Sequence, residues 1–180
     1  MSTTTNLMTA EELVDLPSGH RYELVKGVLL TMSPSGSDHG RVTMNLSLLL
    51  AHYIKANNLG IAFAAETGFK LEHNPDTVLA PDFAFINKTR SVQRSPGFLE
   101  MAPDLAVEVI SSTKTRREAE RKAAQWLSFG VQLVWIVNCQ KRTVEVVSAE
   151  GTKTLFRESE EVLDESVLPG LRPAVAEIFN

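Results

Sequence analysis

Cysteine is almost missing from this chain. Cys139 is the single thiol in 180 residues, so neither a disulfide framework nor a multi-thiolate zinc or iron–sulfur site can form within one chain. Long apolar runs are also missing; none approaches the roughly 20 residues that span a bilayer. The opening residues, Met1 to Asn6, lack the basic start and apolar stretch of a signal peptide, and the expected location is cytoplasmic. Positive charge is in deficit, with 18 Lys and Arg against 22 Asp and Glu and a net charge of −4, so no global basic field for nucleic acid exists. Several catalytic signatures are absent too. Without G-x-S-x-G there is no nucleophile elbow. Without a P-loop or G-x-G-x-x-G there is no familiar phosphate-cradling loop. His20, His39, His52 and His73 never fall at the H-E-x-x-H spacing of zinc hydrolases.

What remains is a chain with 43% hydrophobic residues, long enough to bury about 70% of its unfolded surface. A single domain over residues 1–180 is expected. Charge is unevenly spread along it. Residues 81–142 carry 10 basic and 6 acidic side chains, and only this middle region is net positive. Lys114, Arg116, Arg117, Arg121 and Lys122 crowd one stretch of it, either as a solvated helix face or as a local edge for phosphates.

Thr9 with Glu12 forms a capping-box pattern opening a short helix that must stop by Pro17. Residues 21–25 and 28–32 alternate around Lys26-Gly27, a hairpin signature. A helix is expected from Asp38 to Asn57, with Ser37 as its N-cap, on the spacing of Val42, Leu46, Leu49, Leu50, Tyr53 and Ile54. Strands are expected at 61–72, 78–86, 104–111, 132–138, 142–148 and 152–157. Helices are expected at 114–129 and at the C-terminus. The order implies an α/β fold with a central mixed β-sheet flanked by α-helices.

Asp82 and Glu108 each fall inside an expected strand that is otherwise apolar. Alternation sets Ala80, Asp82, Ala84 and Ile86 on one face of the first strand, and Asp104, Ala106, Glu108 and Ile110 on one face of the second. Either carboxylate alone is compatible with an exposed strand edge. Two in neighbouring apolar strands need a compensating charge, most simply a divalent cation bound through oxygen. Lys122 borders the helical stripe of Ala119, Ala123, Trp126 and Leu127. Its methylenes can lie along the core, with the ammonium either in solvent or near the sheet.

Pro81-Asp82, then Val107-Glu108-Val109-Ile110-Ser111, then a helix with Lys122 ending at Phe129-Gly130-Val131 before Val134-Trp135-Ile136-Val137, resembles the Uma-type endonucleases of the PD-(D/E)XK, restriction-endonuclease-like superfamily. Tyr22-Glu23-Leu24, Gly27, Ser33-Pro34 and His39 agree with that family's pattern, and the resemblance runs from about residue 8 to 150. Activity in this family is itself assigned by analogy of site and fold. The resemblance implies a restriction-endonuclease-like fold and a Mg²⁺-dependent DNA endonuclease, with Mn²⁺ as a substitute ion. Asp82, Glu108 and the backbone carbonyl of Val109 would be the metal ligands. The superfamily lysine usually follows the acid by two positions, where this sequence has Ile110; the resemblance moves that role to Lys122. Glu23, otherwise a plain solvent-facing glutamate, would lie near the metal. His39, otherwise part of a helix cap, would meet the phosphate or transfer a proton. Glu66 is a weaker candidate for the same site, and Asp104 is expected to be structural. DNA is the expected partner and a homodimer the expected assembly, because cutting both strands usually takes two sites. Two other readings stay open: a non-catalytic nucleic-acid-binding module of the same fold, and a metal-dependent hydrolase of a small phosphorylated molecule.

Overall fold

A computed structural model describes residues 7–17, 19–93, 96–111, 116–163 and 166–180. The N-terminal residues 1–6 and Lys114 of the basic stretch lie outside the described residues. Helix α1 (Ala10–Val14) opens with both hydrogen bonds of the Thr9–Glu12 capping box. Strands β1 (Arg21–Val25) and β2 (Val28–Met32) form the expected hairpin. Lys26 and Gly27 take φ values of 50° and 75°, the left-handed pair that a two-residue turn between right-twisting strands requires. Helix α2 (Ser37–Ala56) starts one residue earlier than its sequence signature, so Gly36 is the N-cap and Ser37 is already helical.

The two strands expected at 61–72 and 78–86 are each broken in two. In the first, β3 (Gly60–Ala64) and β4 (Phe69–Glu72) are separated by a turn in which Glu66 has φ 69°. Gly68 there lies so close to Phe98 that an added Cβ would sit 2.3 Å from its ring. In the second, β5 (Thr77–Leu79) stops before Pro81, which has no N–H for a ladder, and β6 (Phe83–Asn87) begins after Asp82. The halves go to different sheets. A small antiparallel sheet has the order β2-β1-β5-β4.

The central mixed sheet holds β3 and β6 together with β7 (Leu105–Ile110), β8 (Leu133–Asn138), β9 (Thr143–Ser148) and β10 (Lys153–Arg157), in the order β10-β9-β8-β7-β6-β3. Its parallel pair is β7 with β8, joined across one face by helix α3 (Arg116–Ser128). Leu105, Val107 and Val109 pack toward α2 and the C-terminal helix α4 (Val175–Phe179). Ala106 and Ile110 pack toward Ala119, Ala123 and Trp126 of α3. Helices thus flank the sheet on both faces. Gly130, at φ 88°, closes α3: its N–H reaches Leu127 O, and the next N–H reaches Trp126 O.

One buried ion pair ties α1 to the small sheet. Asp76 Oδ2 accepts the Ala10 N–H at 2.8 Å and lies 3.1 Å from Lys70 Nζ. Burial pushes the Asp76 carboxyl up, but the Ala10 N–H, Lys70 and the Asn74 N–H outweigh it and leave it below its ordinary value of 3.8. Its contribution is therefore present above pH 3.8 and lost as pH falls through the lowered folded value. Asp76→Asn should cost about 2 kcal/mol near neutral pH, and the difference from the parent should shrink toward pH 3; urea unfolding of both proteins at the two pH values measures it.

Candidate active site

The site is built around the ammonium of Lys122. On α3 its side chain shares a face with Trp126 one turn later, and that face lies against β7. Lys122 Nζ stands 2.8 Å from Glu23 Oε1 and 3.0 Å from Glu108 Oε1, and it donates to the Ala80 carbonyl at 3.3 Å. Glu23 Oε1 also accepts the Ala80 N–H at 2.9 Å. Glu108 Oε1 also accepts the indole N–H of Trp126 at 2.8 Å. Four parts of the chain meet here: β1, β7, α3 and the connection between β5 and β6.

Asp82 lies in that connection, not inside a strand as expected, because Pro81 ends the ladder just before it. Its own N–H bonds to Val107 O at 2.9 Å, extending the β6–β7 pairing by one residue. Its carboxylate then turns along β7, where Oδ2 accepts the Val109 N–H at 2.8 Å. The same oxygen is 3.2 Å from His39 Nε2, delivered by the first turn of α2, and His39 Nδ1 is 3.4 Å from Thr43 Oγ1. Oδ1 is 3.5 Å from Arg21 Nη2.

Three carboxylates are therefore buried together, with Glu23 5% exposed and Asp82 and Glu108 2% each. Burial pushes the Glu108 carboxyl up; Lys122 pulls it back, Asp82 and Glu23 push it further, and it settles at about 7. Burial raises Asp82 as well, but His39, the Val109 N–H and Lys122 prevail and hold it below its ordinary value. Burial would lower the Lys122 ammonium, but Glu108 and Glu23 raise it instead. Lys122 is thus charged at any physiological pH, while burial and the neighbouring acids make Glu108 a much weaker acid than an exposed glutamate.

Among the described residues no group of three or more His, Cys, Asp or Glu side chains is arranged to hold a metal ion. The donor chemistry nevertheless fits a hard cation. Asp82 and Glu108 supply two carboxylates on adjoining backbone, and Mg²⁺ commonly takes one or two carboxylates while keeping several waters.

Arg21, Thr43 and Trp126 escaped sequence reasoning, although each carried a signal. Arg21 is two residues from Glu23 on the same strand face. Thr43 and Trp126 lie four residues after His39 and Lys122 on their helices. Glu66 pairs loosely with Arg21 at 3.3 Å rather than joining the buried carboxylates. Asp104 accepts the Asn87 N–H and bonds to Arg90 and Gln132, which ties loops around β7 and β8 together. A cleft of about 620 Å³, bounded by Arg21, His39 and Asp82, opens onto the Asp82 side of the site, and Glu23, Glu108 and Lys122 do not line it.

Residues 10–176 match the model of the Uma2 family, described as "Putative restriction endonuclease". The chain belongs to the Uma2 family. Its fold is shared by a crystal structure from Anabaena variabilis ATCC 29413, described as "a putative nuclease belonging to DUF820". The TM-score is 0.80 at 18% sequence identity, over 96% of this chain and 97% of that one. No match was found among curated proteins. In this Uma2 member, Lys122→Met should lower stability by about 3 kcal/mol, because it strands two buried carboxylates. Adding Glu108→Gln should restore a substantial part of that loss; denaturant unfolding of the two single variants and the double variant, in chelator, tests the coupling.

Proposed function

We propose that the chain is a divalent-metal-dependent nuclease of the PD-(D/E)XK type that hydrolyses phosphodiester bonds in DNA. The observation that carries this reading is the position of the Lys122 ammonium, shared between Glu23 and Glu108 and electrostatically coupled to Asp82, which itself lines a cleft. Membership of a family described as "Putative restriction endonuclease" supports it further.

Asp82, Glu108 and the Val109 carbonyl are the groups that would hold Mg²⁺, or Mn²⁺ in its place. When bound, such an ion lowers the pKa of a coordinated water and neutralises charge on phosphate oxygens. The chain's own residues do the rest. Glu23 and Glu108 fix the Lys122 ammonium, which orients the attacking water and meets negative charge as it develops on the phosphate. Trp126 holds Glu108 in place through its indole N–H. His39, hydrogen-bonded to Asp82 and backed by Thr43, is the group suited to move a proton to or from the reacting oxygens. Arg117 and Arg121 on the exposed side of α3 offer sequence-independent contacts to the DNA backbone, whereas Arg116 is already paired with Glu120 and Glu145. Each chain carries one such site, so breaking both strands of a duplex calls for a pair of chains.

Supercoiled plasmid incubated with Mg²⁺ or Mn²⁺ tests the reading. The parent should yield nicked or linear DNA, and chelator should stop the reaction. Asp82→Asn and Lys122→Gln, checked by circular dichroism for an intact fold, should each cut at least about 100-fold more slowly. Cleavage by both variants at the parental rate would overturn the assignment. A folded parent that binds plasmid but never cuts it would be a binding module, and one that prefers small phosphodiesters in competition would belong to a different class of hydrolase.

A further inference from the structure

Arg21 stands between two adjoining cavities. One is the cleft of about 620 Å³ that reaches His39 and Asp82. The other, about 300 Å³, is bounded by Ala80 and Phe98. His20, Arg21, Met32 and Glu66 line both, and the Arg21–Glu66 ion pair forms the charged bar between them. Ala80, on the far side of that bar, is the residue whose backbone meets both Glu23 and Lys122. Of the buried cluster, Asp82 lines the first cavity, whereas Glu23, Glu108 and Lys122 line neither.

The bar is weakly made. Glu66 Oε1 lies 3.3 Å from Arg21 Nε, but out of line, and this buried N–H has no hydrogen-bond acceptor. The remaining contacts of the guanidinium are long, at 3.2 Å to Ser35 Oγ and 3.5 Å to Asp82 Oδ1. A guanidinium offers five N–H donors in a planar fork suited to two oxygens of one anion. Among the described residues nothing uses that fork fully. The Glu66 side chain is 65% exposed, so its hold on Arg21 is screened by solvent and easily exchanged.

We propose that Arg21 is a docking residue for a phosphate of the polynucleotide strand, and that Glu66 is a built-in anion covering it until the strand arrives. A phosphate displaces Glu66 and takes the fork of Arg21 with two oxygens, at the boundary of the two cavities and beside Asp82. This assignment rests on the nuclease reading for the identity of the ligand, and on the Arg21–Glu66 geometry for the site itself.

The test is a binding cycle on the full chain in chelator, where no cleavage occurs, using a fluorescein-labelled 20-nucleotide single strand and anisotropy. Glu66→Gln should tighten binding about twofold to fivefold, the worth of an exposed ion pair released. Arg21→Gln should weaken it, and adding Glu66→Gln to Arg21→Gln should give no gain. An absent gain in the single variant overturns the proposal. So does a gain that persists without Arg21, because that would reflect only the loss of one negative charge. Plasmid cleavage by the parent separates this outcome from the wider reading. A parent that cuts DNA while the cycle fails loses the phosphate dock but keeps the nuclease; an Arg21-dependent gain in a chain that never cuts keeps the dock and loses the nuclease.

Discussion

One ammonium held between two buried carboxylates constrains how four separate parts of this chain meet. Lys122 comes from α3, Glu108 from the centre of β7, Glu23 from β1 in the smaller sheet, and Ala80 from the connection that crosses between the sheets. Charges this far from solvent are tolerable only while each keeps its partners, because removing one leaves the others desolvated and unpaired. The small sheet is thereby pinned to the large one by electrostatics as well as by packing. The pinning point is also where the chemistry gathers.

The arrangement depends on two interruptions of regular structure. Pro81 ends β5, so Asp82 is released from strand geometry and its carboxylate can take the Val109 N–H. The turn around Glu66 divides β3 from β4 and brings a carboxylate to the mouth of the cleft beside Arg21. Continuous strands at either place would have left a single wide sheet. The edges between the two sheets, where the cleft opens, would then be missing.

Burial also sets the electrostatic character of the site. Glu108, fully enclosed and close to two other acids, retains its proton to about pH 7, whereas Asp82 ionises readily because a backbone N–H and His39 face it. Two carboxyl groups of similar intrinsic acidity are thus driven apart by their surroundings.

Much of this was legible in the chain itself. The Thr9–Glu12 cap, the Lys26-Gly27 turn, the α2 stripe and the alternation along β7 are local patterns, fixed by φ/ψ preferences and by periods of 3.6 and 2 that short segments carry unaided. The isolated acids at 82 and 108, and the lysine at the edge of an apolar stripe, stood out for the same reason: each breaks a pattern around it. The division into two sheets, the indole of Trp126 on Glu108, and the meeting of Arg21 with Asp82 and Glu66 were decided by tertiary structure. Hydrogen-bond partners and desolvation depend on which residues distant in sequence become neighbours, and strand pairing, not composition, makes that choice.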